Sequence, residues 1–507
     1  MTLIPTDPSI DALADSAVEK ARTLIHDADR LRGHSEKANR RRFSRLFRDP
    51  RAIEVTITLT DEVMRIHSVK SSINIFRRAA TKASIEGFGA FNATGLRFLS
   101  ATSRLAPGPV IHAVARQIRR LSRDLILPYE DAALQRHLEQ RRRDDIAMNI
   151  NVLGEAVLGE READERLERV IEMIRRPSVN YVSVKLSSIV SQIITIDREG
   201  SLERVTAKMR TLYREAEAHA TFVNLDMEEY RDLELTVAAF TRVLDEPEFS
   251  SIAAGIVLQA YLPESHAVFA DLVTWSKIRH SQSGGTIKVR LVKGANLAME
   301  STEAELHGWN AAPYRSKAEV DASYARLIDV ALRPEHADAV RVGIASHNLF
   351  HLSWALEVAR SRGVESQVDV EMLEGMANSE SLAIARTGQR VLLYAPVTRH
   401  DDFASAVAYL VRRLDENTSD ENYLKAAFDI GTDAERFAEQ SERFTASVRE
   451  RHAISTSSLR HAPRPASTSL GFANVANFDP TSTTAFDEIT GAFARVRATP
   501  ELQIPLV

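Results

Sequence analysis

Eight short apolar runs, each separated from the next by an amphipathic segment, constrain the fold of this 507-residue chain more than any other feature. The connecting segments, such as "RVTAKMRTLYREAEAHA" and "VDASYARLIDVALR", carry apolar residues at helical spacing. Alternating strands and helices are typical of a parallel sheet covered by helices. The runs that predict strands span residues 146–156, 181–188, 221–229, 255–261, 287–294, 341–348, 368–376 and 391–397.

The number and order of these predicted strands favour a TIM-type (β/α)8 barrel, which typically has ~250 residues. A doubly wound open sheet is the alternative, but its usual G-x-G-x-x-G signature is absent after the first strand. We therefore predict an α/β fold in three parts: an N-terminal all-helical region over residues 1–140, a barrel over 141–430, and a C-terminal helical and coil tail over 431–507. The stretch 454–486, which is rich in Ser, Thr, Ala and Pro, is typical of a linker or of a loosely packed coil.

Cysteine is absent from the sequence, which excludes disulfides, thiolate metal sites and a cysteine nucleophile. Redox chemistry would therefore depend on a bound organic cofactor or on a metal site without thiolates. The sequence contains neither an apolar run of about 18 residues nor a secretory signal at its start, so a cytoplasmic location is expected.

Charge gives little indication of a nucleic-acid partner. The formal net charge of -5 predicts no strong overall attraction to nucleic acid or anionic lipid. The stretches "ANRRRFSRLFRDPR" and "RQIRRLSR" are basic, but no nucleic-acid-binding motif accompanies them. We interpret them as solvated faces of amphipathic helices or as contacts with an acidic part of the same chain, and we expect no nucleic-acid partner.

Polar side chains occur near the carboxyl end of almost every predicted strand, where barrel enzymes carry their active sites. Arg290 and Lys293 are the most unusual, because they interrupt the apolar run "IKVRLVKG" and burying an unpaired cation is costly. A ring of this kind indicates a ligand site. Its members are Glu155, Lys185, Asp226, Glu228, Glu229, Gln259, Tyr261, Arg290, Lys293, His347, Asn348, Glu371, Glu374 and Tyr394.

Single members of this ring also have simpler explanations. Lys185 and Asp226 are candidates for a structural ion pair, and His347 for a satisfied core histidine. A metal site built from Asp226, Glu228 and His347 is disfavoured, because the ring holds several cations and no paired histidine motif. Cations beside acids and amides instead indicate an anionic ligand, either a cofactor phosphate or a substrate carboxylate.

The segment after the eighth strand, "DDFASAVAYLVRRLDENT", predicts an amphipathic helix. Adjacent arginines are common on solvated helices, but over the barrel mouth this pair would form a clamp for one carboxylate. The expected core face comprises Phe403, Val407, Leu410 and Leu414, and the other face comprises Tyr409, Arg412, Arg413 and Glu416.

The segments "VKLSS", "NLDMEE", "VLQAY", "VRLVKGA", "SHN", "LYAPV" and "YLVRRLDEN" resemble, in this order, those of proline dehydrogenase. "LGEA" and the helical N-terminal region resemble the version found in bifunctional proline utilisation A proteins. The resemblance covers residues 146–420 and implies a distorted barrel that binds FAD. It further implies oxidation of L-proline to Δ1-pyrroline-5-carboxylate, the first step of proline catabolism, by hydride transfer from C5 to flavin N5 and then to a quinone.

The resemblance also assigns site residues. The implied catalytic set is Lys185, Asp226, Tyr394, Arg412 and Arg413. Lys185 and the two arginines would bind the substrate carboxylate, while Glu416 orients the arginines and Glu155 closes over the site. The residues implied to line the substrate pocket include Tyr394, Leu291 and Asn296, and those implied to contact the flavin are Asp226, Gln259, Arg290, Lys293, Gly294, Ser316, Lys317, His347 and Asn348.

One departure from the family pattern bears on specificity. After "VRLVKGA" the family commonly has Tyr-Trp or at least Tyr, whereas this chain has Asn296 and Leu297. Because asparagine is smaller, we hypothesise a roomier pocket near C4 of the substrate ring that accepts 4-hydroxyproline. The loop 307–317 is a candidate source of replacement contacts through Trp309 or Tyr314.

The partners implied by the resemblance are L-proline and a quinone. An aldehyde dehydrogenase, as a separate partner or a missing domain, is also implied, since that activity needs a cysteine that this chain lacks. Peripheral contact with the inner face of the membrane stays open. The alternatives are a related flavin barrel enzyme acting on another cyclic amino acid, and a non-catalytic binding module.

Overall fold

The structure, a computed structural model, describes residues 8–66, 68–123, 125–154, 157–399, 406, 409–410, 422–462 and 476–498. Eight parallel strands form a closed barrel, as the sequence predicts, because each pairs with the next and the eighth pairs with the first between Ile146–Val391 and Val152–Val397. The strands are β1 Ile146–Val152, β2 Tyr181–Lys185, β3 Phe222–Asp226, β4 Ala254–Gln259, β5 Ile287–Val292, β6 Val340–Ala345, β7 Val368–Leu373 and β8 Val391–Thr398. A two-residue strand, Leu127–Pro128, pairs with the end of β8.

Helices surround the barrel and connect its strands. They bury apolar residues at three- and four-residue spacing against the strands; α10, for example, buries Leu167, Val170 and Ile174. These helices are α9 Asp131–Arg143, α10 Glu160–Ile174, α11 Leu186–Ile189, α12 Arg198–Ala218, α13 Leu233–Leu244, α14 Ser265–Ser283, α15 Leu297–His307, α16 Lys317–Ala331, α17 Leu349–Ser361 and α18 Asn378–Ala385, with 3-10 turns at Tyr230–Asp232, Pro334–His336 and Glu365–Gln367.

Most strands end earlier than the sequence predicts. The run 181–188 is strand only to Lys185, after which Leu186–Ile189 form the short helix α11. The run 221–229 is strand only to Asp226. Several residues that follow the strands, such as Leu186, Met227 and Tyr261, are as buried and apolar as the strands, so apolar character alone did not mark the strand ends.

The N-terminal region is helical, as predicted, and its first helix, α1, packs on the barrel. Lys20 of α1 pairs with Glu357 at 2.8 Å, and Trp354 donates its indole hydrogen to the Ile10 carbonyl at 3.4 Å. The helices are α1 Pro8–Leu31, α2 His34–Arg48, α3 Pro50–Thr60, α4 Glu62–Arg65, α5 Val69–Lys82, α6 Ile85–Phe88, α7 Ala90–Thr102 and α8 Pro107–Leu121.

After β8, the described residues include the helices Tyr423–Ala427, Ala434–Glu450 and Thr483–Ala498. The second packs on α17, where Phe444 and Phe350 stack with their ring centroids 5.9 Å apart. The segments 451–462 and 476–482, which include parts of the stretch predicted as a linker, lie against the barrel loops. In the described residues, no helix has the length and apolar character needed to cross a membrane.

Candidate active site

Arg290 on β5 lies inside the barrel between two carboxylates. Its Nε donates to Glu371 at 2.5 Å, and its Nη1 donates to Asp226 at 2.9 Å. Burial opposes the charge, but Glu371 and Asp226 hold the pKa of Arg290 above its usual value. The cation that interrupts the apolar strand is therefore stabilised by acids from β3 and β7.

A second cation lies two residues before Arg290, on the same face of the strand. Lys288 binds the other oxygen of Glu371 and also Asp369, both at 2.7 Å. Gly343 makes room for this arrangement, since a Cβ there would lie 2.1 Å from Glu371 Oε1. The interior of the barrel thus holds alternating cations and carboxylates. Glu371 lies between Lys288 and Arg290 and binds one of them with each oxygen.

Tyr394 on β8 joins the same network from the opposite side. Its hydroxyl donates to Asp226 Oδ2 at 2.9 Å and accepts from the side-chain amide of Asn151. Burial and the nearby Asp226 carboxylate raise the pKa of Tyr394 well above its usual value, so the phenol stays neutral. The Tyr394 side chain is therefore uncharged and fixed in position, with its ring centroid 5.5 Å from the guanidinium carbon of Arg290.

Lys185 at the end of β2 pairs with Glu228 at 2.7 Å, whereas Asp226 pairs with Arg290. The Lys185–Asp226 ion pair considered from the sequence is therefore not the arrangement found. The backbone carbonyl of Glu228 accepts hydrogen bonds from Asn296 at 2.8 Å and from Gln259 at 3.2 Å. Three of the predicted site residues thus meet at one residue of the loop after β3.

Lys293 faces a buried carboxylate on α16. It pairs with Asp321 at 2.5 Å, and Lys317 binds the same oxygen. Burial and the like charge of Lys317 lower the pKa of Lys293 to about 8 despite Asp321. The buried ring of His351 on α17 has a pKa well below its usual value because burial disfavours its charge. Two lysines therefore share one acid, and the surplus positive charge suits an anionic ligand.

Gly294 lies next to Lys293 with a φ of 122°, a conformation that favours glycine. A Cβ at this position would lie 2.4 Å from the ring of Tyr261. The turn after β5 therefore requires a glycine, and it passes directly against Tyr261. Leu291, which precedes this turn, is fully buried in the main apolar core.

Several predicted flavin contacts also have local structural partners. His347 accepts from the Leu373 amide at 3.3 Å, and Asn348 caps α17 by accepting from the Phe350 amide at 3.0 Å. Ser316 caps α16 in a reciprocal capping box with Glu319. These bonds account for the positions of the three residues, and their contacts with a cofactor stay predictions.

Trp309 and Tyr314 each donate a hydrogen bond to a backbone carbonyl of the C-terminal tail. The indole of Trp309 donates to the Asn477 carbonyl at 2.7 Å, and the hydroxyl of Tyr314 donates to the Ser455 carbonyl at 2.5 Å. Both side chains thus bind the C-terminal tail. The hypothesis that they supply the contacts absent at Asn296 stays a prediction.

The predicted residues Glu155, Arg412, Arg413 and Glu416 lie outside the described residues. In the helix predicted after β8, the structure describes Ala406, Tyr409 and Leu410. Leu410 is buried against Ile126, which agrees with its predicted core face. The carboxylate clamp itself stays a prediction.

Sequence reasoning missed three side chains that shape this site: Asn151, Lys288 and Asp321. Asn151 and Lys288 are polar residues inside predicted apolar strands, which is the same signal that drew attention to Arg290. Asp321 lies four residues after Lys317 on a helix, a spacing that places the two side chains on one face.

Comparison with known proteins identifies the fold as that of one enzyme family. The family model described as Proline dehydrogenase matches residues 134–426, more than half of the chain. The chain belongs to the proline dehydrogenase family. The match begins in α9 and includes all eight strands of the barrel.

Curated members of the proline dehydrogenase family are similar at modest identity. Bifunctional protein PutA of Escherichia coli is 26% identical over 321 residues, which cover 59% of this chain and 23% of that protein. Proline dehydrogenase of Deinococcus radiodurans is 25% identical over 325 residues, covering 63% of this chain and 94% of that protein. Hydroxyproline dehydrogenase of Rattus norvegicus is 29% identical over 207 residues, covering 40% and 42%. The chain thus spans less than a quarter of the PutA relative.

Solved structures of proline utilization A proteins share the fold. That from Corynebacterium freiburgense has a TM-score of 0.67 and 42% identity, covering 78% of this chain and 38% of that one. That from Bdellovibrio bacteriovorus, inactivated by N-propargylglycine, has a TM-score of 0.78 and 24% identity, covering 97% and 49%. At 24% identity the second likeness shows the fold alone.

Proposed function

We propose that this chain oxidises L-proline to Δ1-pyrroline-5-carboxylate and passes the electrons to a quinone. The observation that carries the proposal is the Tyr394–Asp226–Arg290 network at the carboxyl ends of the strands, in a barrel of the proline dehydrogenase family. When bound, FAD supplies the acceptor for the hydride that leaves C5 of proline. The protein then has to bind the amino acid, orient its ring and exclude water.

The substrate carboxylate is bound, in this proposal, by Lys185 together with Arg412 and Arg413. Lys185 is partly exposed and already holds one carboxylate, that of Glu228, so a substrate carboxylate can replace Glu228 as its partner. Tyr394 stays neutral and fixed by Asp226, and its ring packs against the apolar ring of the substrate. Glu416 and Glu155 are proposed to orient and close the arginine clamp.

The cationic and polar side chains near the carboxyl ends of β4 to β6 suit an anionic cofactor such as FAD. Arg290, Lys293 and Lys317 supply positive charge, and Lys293 and Lys317 share the single acid Asp321. An anionic phosphate or flavin ring would compensate this surplus charge. The residues proposed to hold FAD are Asp226, Gln259, Arg290, Lys293, Gly294, Ser316, Lys317, His347 and Asn348.

A visible absorption spectrum before and after anaerobic addition of L-proline tests the proposed function. We expect flavin absorption bands that disappear on addition of proline and return on addition of a quinone. A protein that stays colourless after incubation with FAD would contradict the proposal. Flavin bands unchanged by proline but lost with another cyclic amino acid would show a related flavin enzyme instead.

The affinity for FAD is expected to fall as the pH rises through about 8, because Lys293 loses its proton there. Its cationic form, present below that pKa, binds an anionic cofactor more strongly. Fluorescence titration of FAD at a series of pH values measures the effect. Lys293→Gln should remove this pH dependence. Lys317→Gln should move the midpoint upward, because it removes the like charge that lowers the pKa of Lys293.

Asn296→Tyr is expected to abolish turnover of 4-hydroxyproline while retaining turnover of L-proline. Asn296 is buried and its amide is held by the Glu228 carbonyl at 2.8 Å, so a tyrosine would extend past this bond into the space that we assign to the substituent at C4. Steady-state kinetics on both amino acids measures the effect. The absence of hydroxyproline turnover in the unmodified protein, with no change on substitution, would contradict the roomier pocket.

The division of the chain into a helical region over 1–140, a catalytic barrel over 141–430 and a tail over 431–507 stays part of the proposal. Because hydrolysis of Δ1-pyrroline-5-carboxylate gives an aldehyde, we propose that an aldehyde dehydrogenase, as a partner or a further domain, consumes the product.

The alternative of a non-catalytic binding module predicts a protein that binds no flavin.

A further inference from the structure

Arg460, in the tail segment predicted as a linker, is one of the most buried cations outside the barrel. Its side chain is 3% exposed, and its Nε pairs with Asp479 at 2.7 Å. Its Nη1 donates to the Asn310 carbonyl at 3.1 Å. Thr481 and Arg460 hold the pKa of Asp479 below its usual value although burial opposes this, so the pair is ionised. A buried ion pair of this kind is unexpected in a linker, because burying two charges is costly unless both are bound.

The guanidinium of Arg460 lies between aromatic rings from two different barrel loops. It is 4.0 Å from the ring centroid of Trp309, after α15, and 5.8 Å from that of Tyr230, after β3. Cation–π contacts of this length are attractive, and more so where water is excluded. Trp309 is further fixed by the Asn477 carbonyl and by stacking on His307. The tail therefore joins the loop after β3 to the end of α15.

The same two loops hold the proposed substrate site. Tyr230 donates its amide hydrogen to the buried Glu300 of α15 at 2.7 Å. One turn earlier, Asn296 is the N-cap residue of α15 and its side chain donates to the carbonyl of Glu228. Glu228 in turn binds Lys185. A continuous set of contacts thus runs from Arg460 through both loops to the residues that face the substrate.

We infer that Arg460, held by Asp479, is a positioning residue that fixes the loop after β3 against α15 and thereby sets the position of Asn296, Glu228 and Lys185. The inference rests on the proposed function for its effect on substrate, whereas the bracing of the loops is independent of it. Arg460 touches neither substrate nor cofactor residues directly, so it acts on KM more than on the chemical step.

Hydrogen exchange and steady-state kinetics on Arg460→Gln test this inference in the full chain. We expect faster amide exchange in residues 228–232 and 297–307, by ~10-fold, because the brace that limits local opening is lost. We also expect KM for proline to rise ~10-fold with kcat within about twofold of the unmodified value, since misplaced binding groups weaken positioning. Arg460→Lys keeps the positive charge and the aromatic contacts, so its amide exchange and its KM should lie close to those of the unmodified protein.

Arg279→Gln is the matched control for a merely structural effect. Arg279 is also buried, lies 5.8 Å from the ring of Trp275 and binds backbone carbonyls, including that of Ile252, at the opposite end of the barrel. The Arg279→Gln variant should have a lower melting temperature, with KM for proline and amide exchange in residues 228–232 and 297–307 unchanged. Unchanged exchange and KM in Arg460→Gln, or equal changes in Arg279→Gln, would overturn the inference. If the unmodified protein does not oxidise proline, the proposed function fails, and exchange alone decides whether Arg460 braces the loops.

Discussion

Replacing Arg290 by glutamine is expected to lower kcat/KM for proline by ~10²–10³-fold, the effect of removing one positioned charge from an active site. It should also lower the free energy of unfolding by about 3–5 kcal/mol, because Asp226 and Glu371 would be left as buried carboxylates without their shared partner. The physical reason for both effects is the same. The guanidinium neutralises acids from two strands and also presents positive charge at the proposed flavin site.

A double variant separates these two effects. Arg290→Gln together with Asp226→Asn removes the cation and the carboxylate that it neutralises, whereas Glu371 keeps its second partner Lys288, so much of the lost stability should return while kcat/KM stays low. Chemical denaturation and steady-state kinetics on both variants provide the measurements. Wild-type kcat/KM in the single variant would show that Arg290 serves only the fold, and would contradict its proposed role.

Replacing Lys185 by methionine is expected to lower kcat/KM for proline by ~10–10²-fold, through KM. One charge-assisted hydrogen bond to a carboxylate is worth about 1.5–3 kcal/mol, which corresponds to that range. Stability should change by less than about 1 kcal/mol, because the Lys185–Glu228 pair is only partly buried. A large kinetic effect with a small effect on stability would therefore assign Lys185 to the substrate.

Glu228→Gln provides the control for Lys185. It keeps the lysine and removes the acid that competes with the substrate carboxylate, so KM should fall or stay unchanged. Its backbone carbonyl still accepts from Asn296, which preserves the loop. A KM in Lys185→Met within twofold of the unmodified protein would place the lysine outside the substrate site.

The amino-acid sequence was sufficient to predict the barrel, and it placed the proposed site at the carboxyl ends of the strands. The period of the apolar residues distinguishes strands from helices, and parallel strands in this alternation bring their carboxyl ends to one side of the sheet. The polar residues that interrupt or end the strands, such as Arg290, Lys185 and Tyr394, were therefore expected together. The strand ends were less predictable, because buried loop residues such as Met227 are as apolar as the strands themselves.

The pairing of the charges could not be predicted from the sequence. Arg290 binds acids on β3 and β7, and Lys185 binds Glu228 instead of Asp226 two residues earlier. These choices depend on barrel closure and on which face of each strand points inward, and a shift of one residue would reverse them. Asp321, which holds Lys293, lies on a helix that only the tertiary structure brings to β5.

The sequence by itself thus determined the alternation of strands and helices, which follows from local periodicity, and the number and order of the strands, which favour a parallel barrel with polar residues near its carboxyl ends. Only the tertiary structure decided which acid stabilises which cation and which part of the tail packs against the barrel loops. Arg460 shows the physical reason: an arginine in a Ser-rich stretch carries no periodic signal, yet its contacts with Trp309 and Asp479 fix part of that stretch to the barrel.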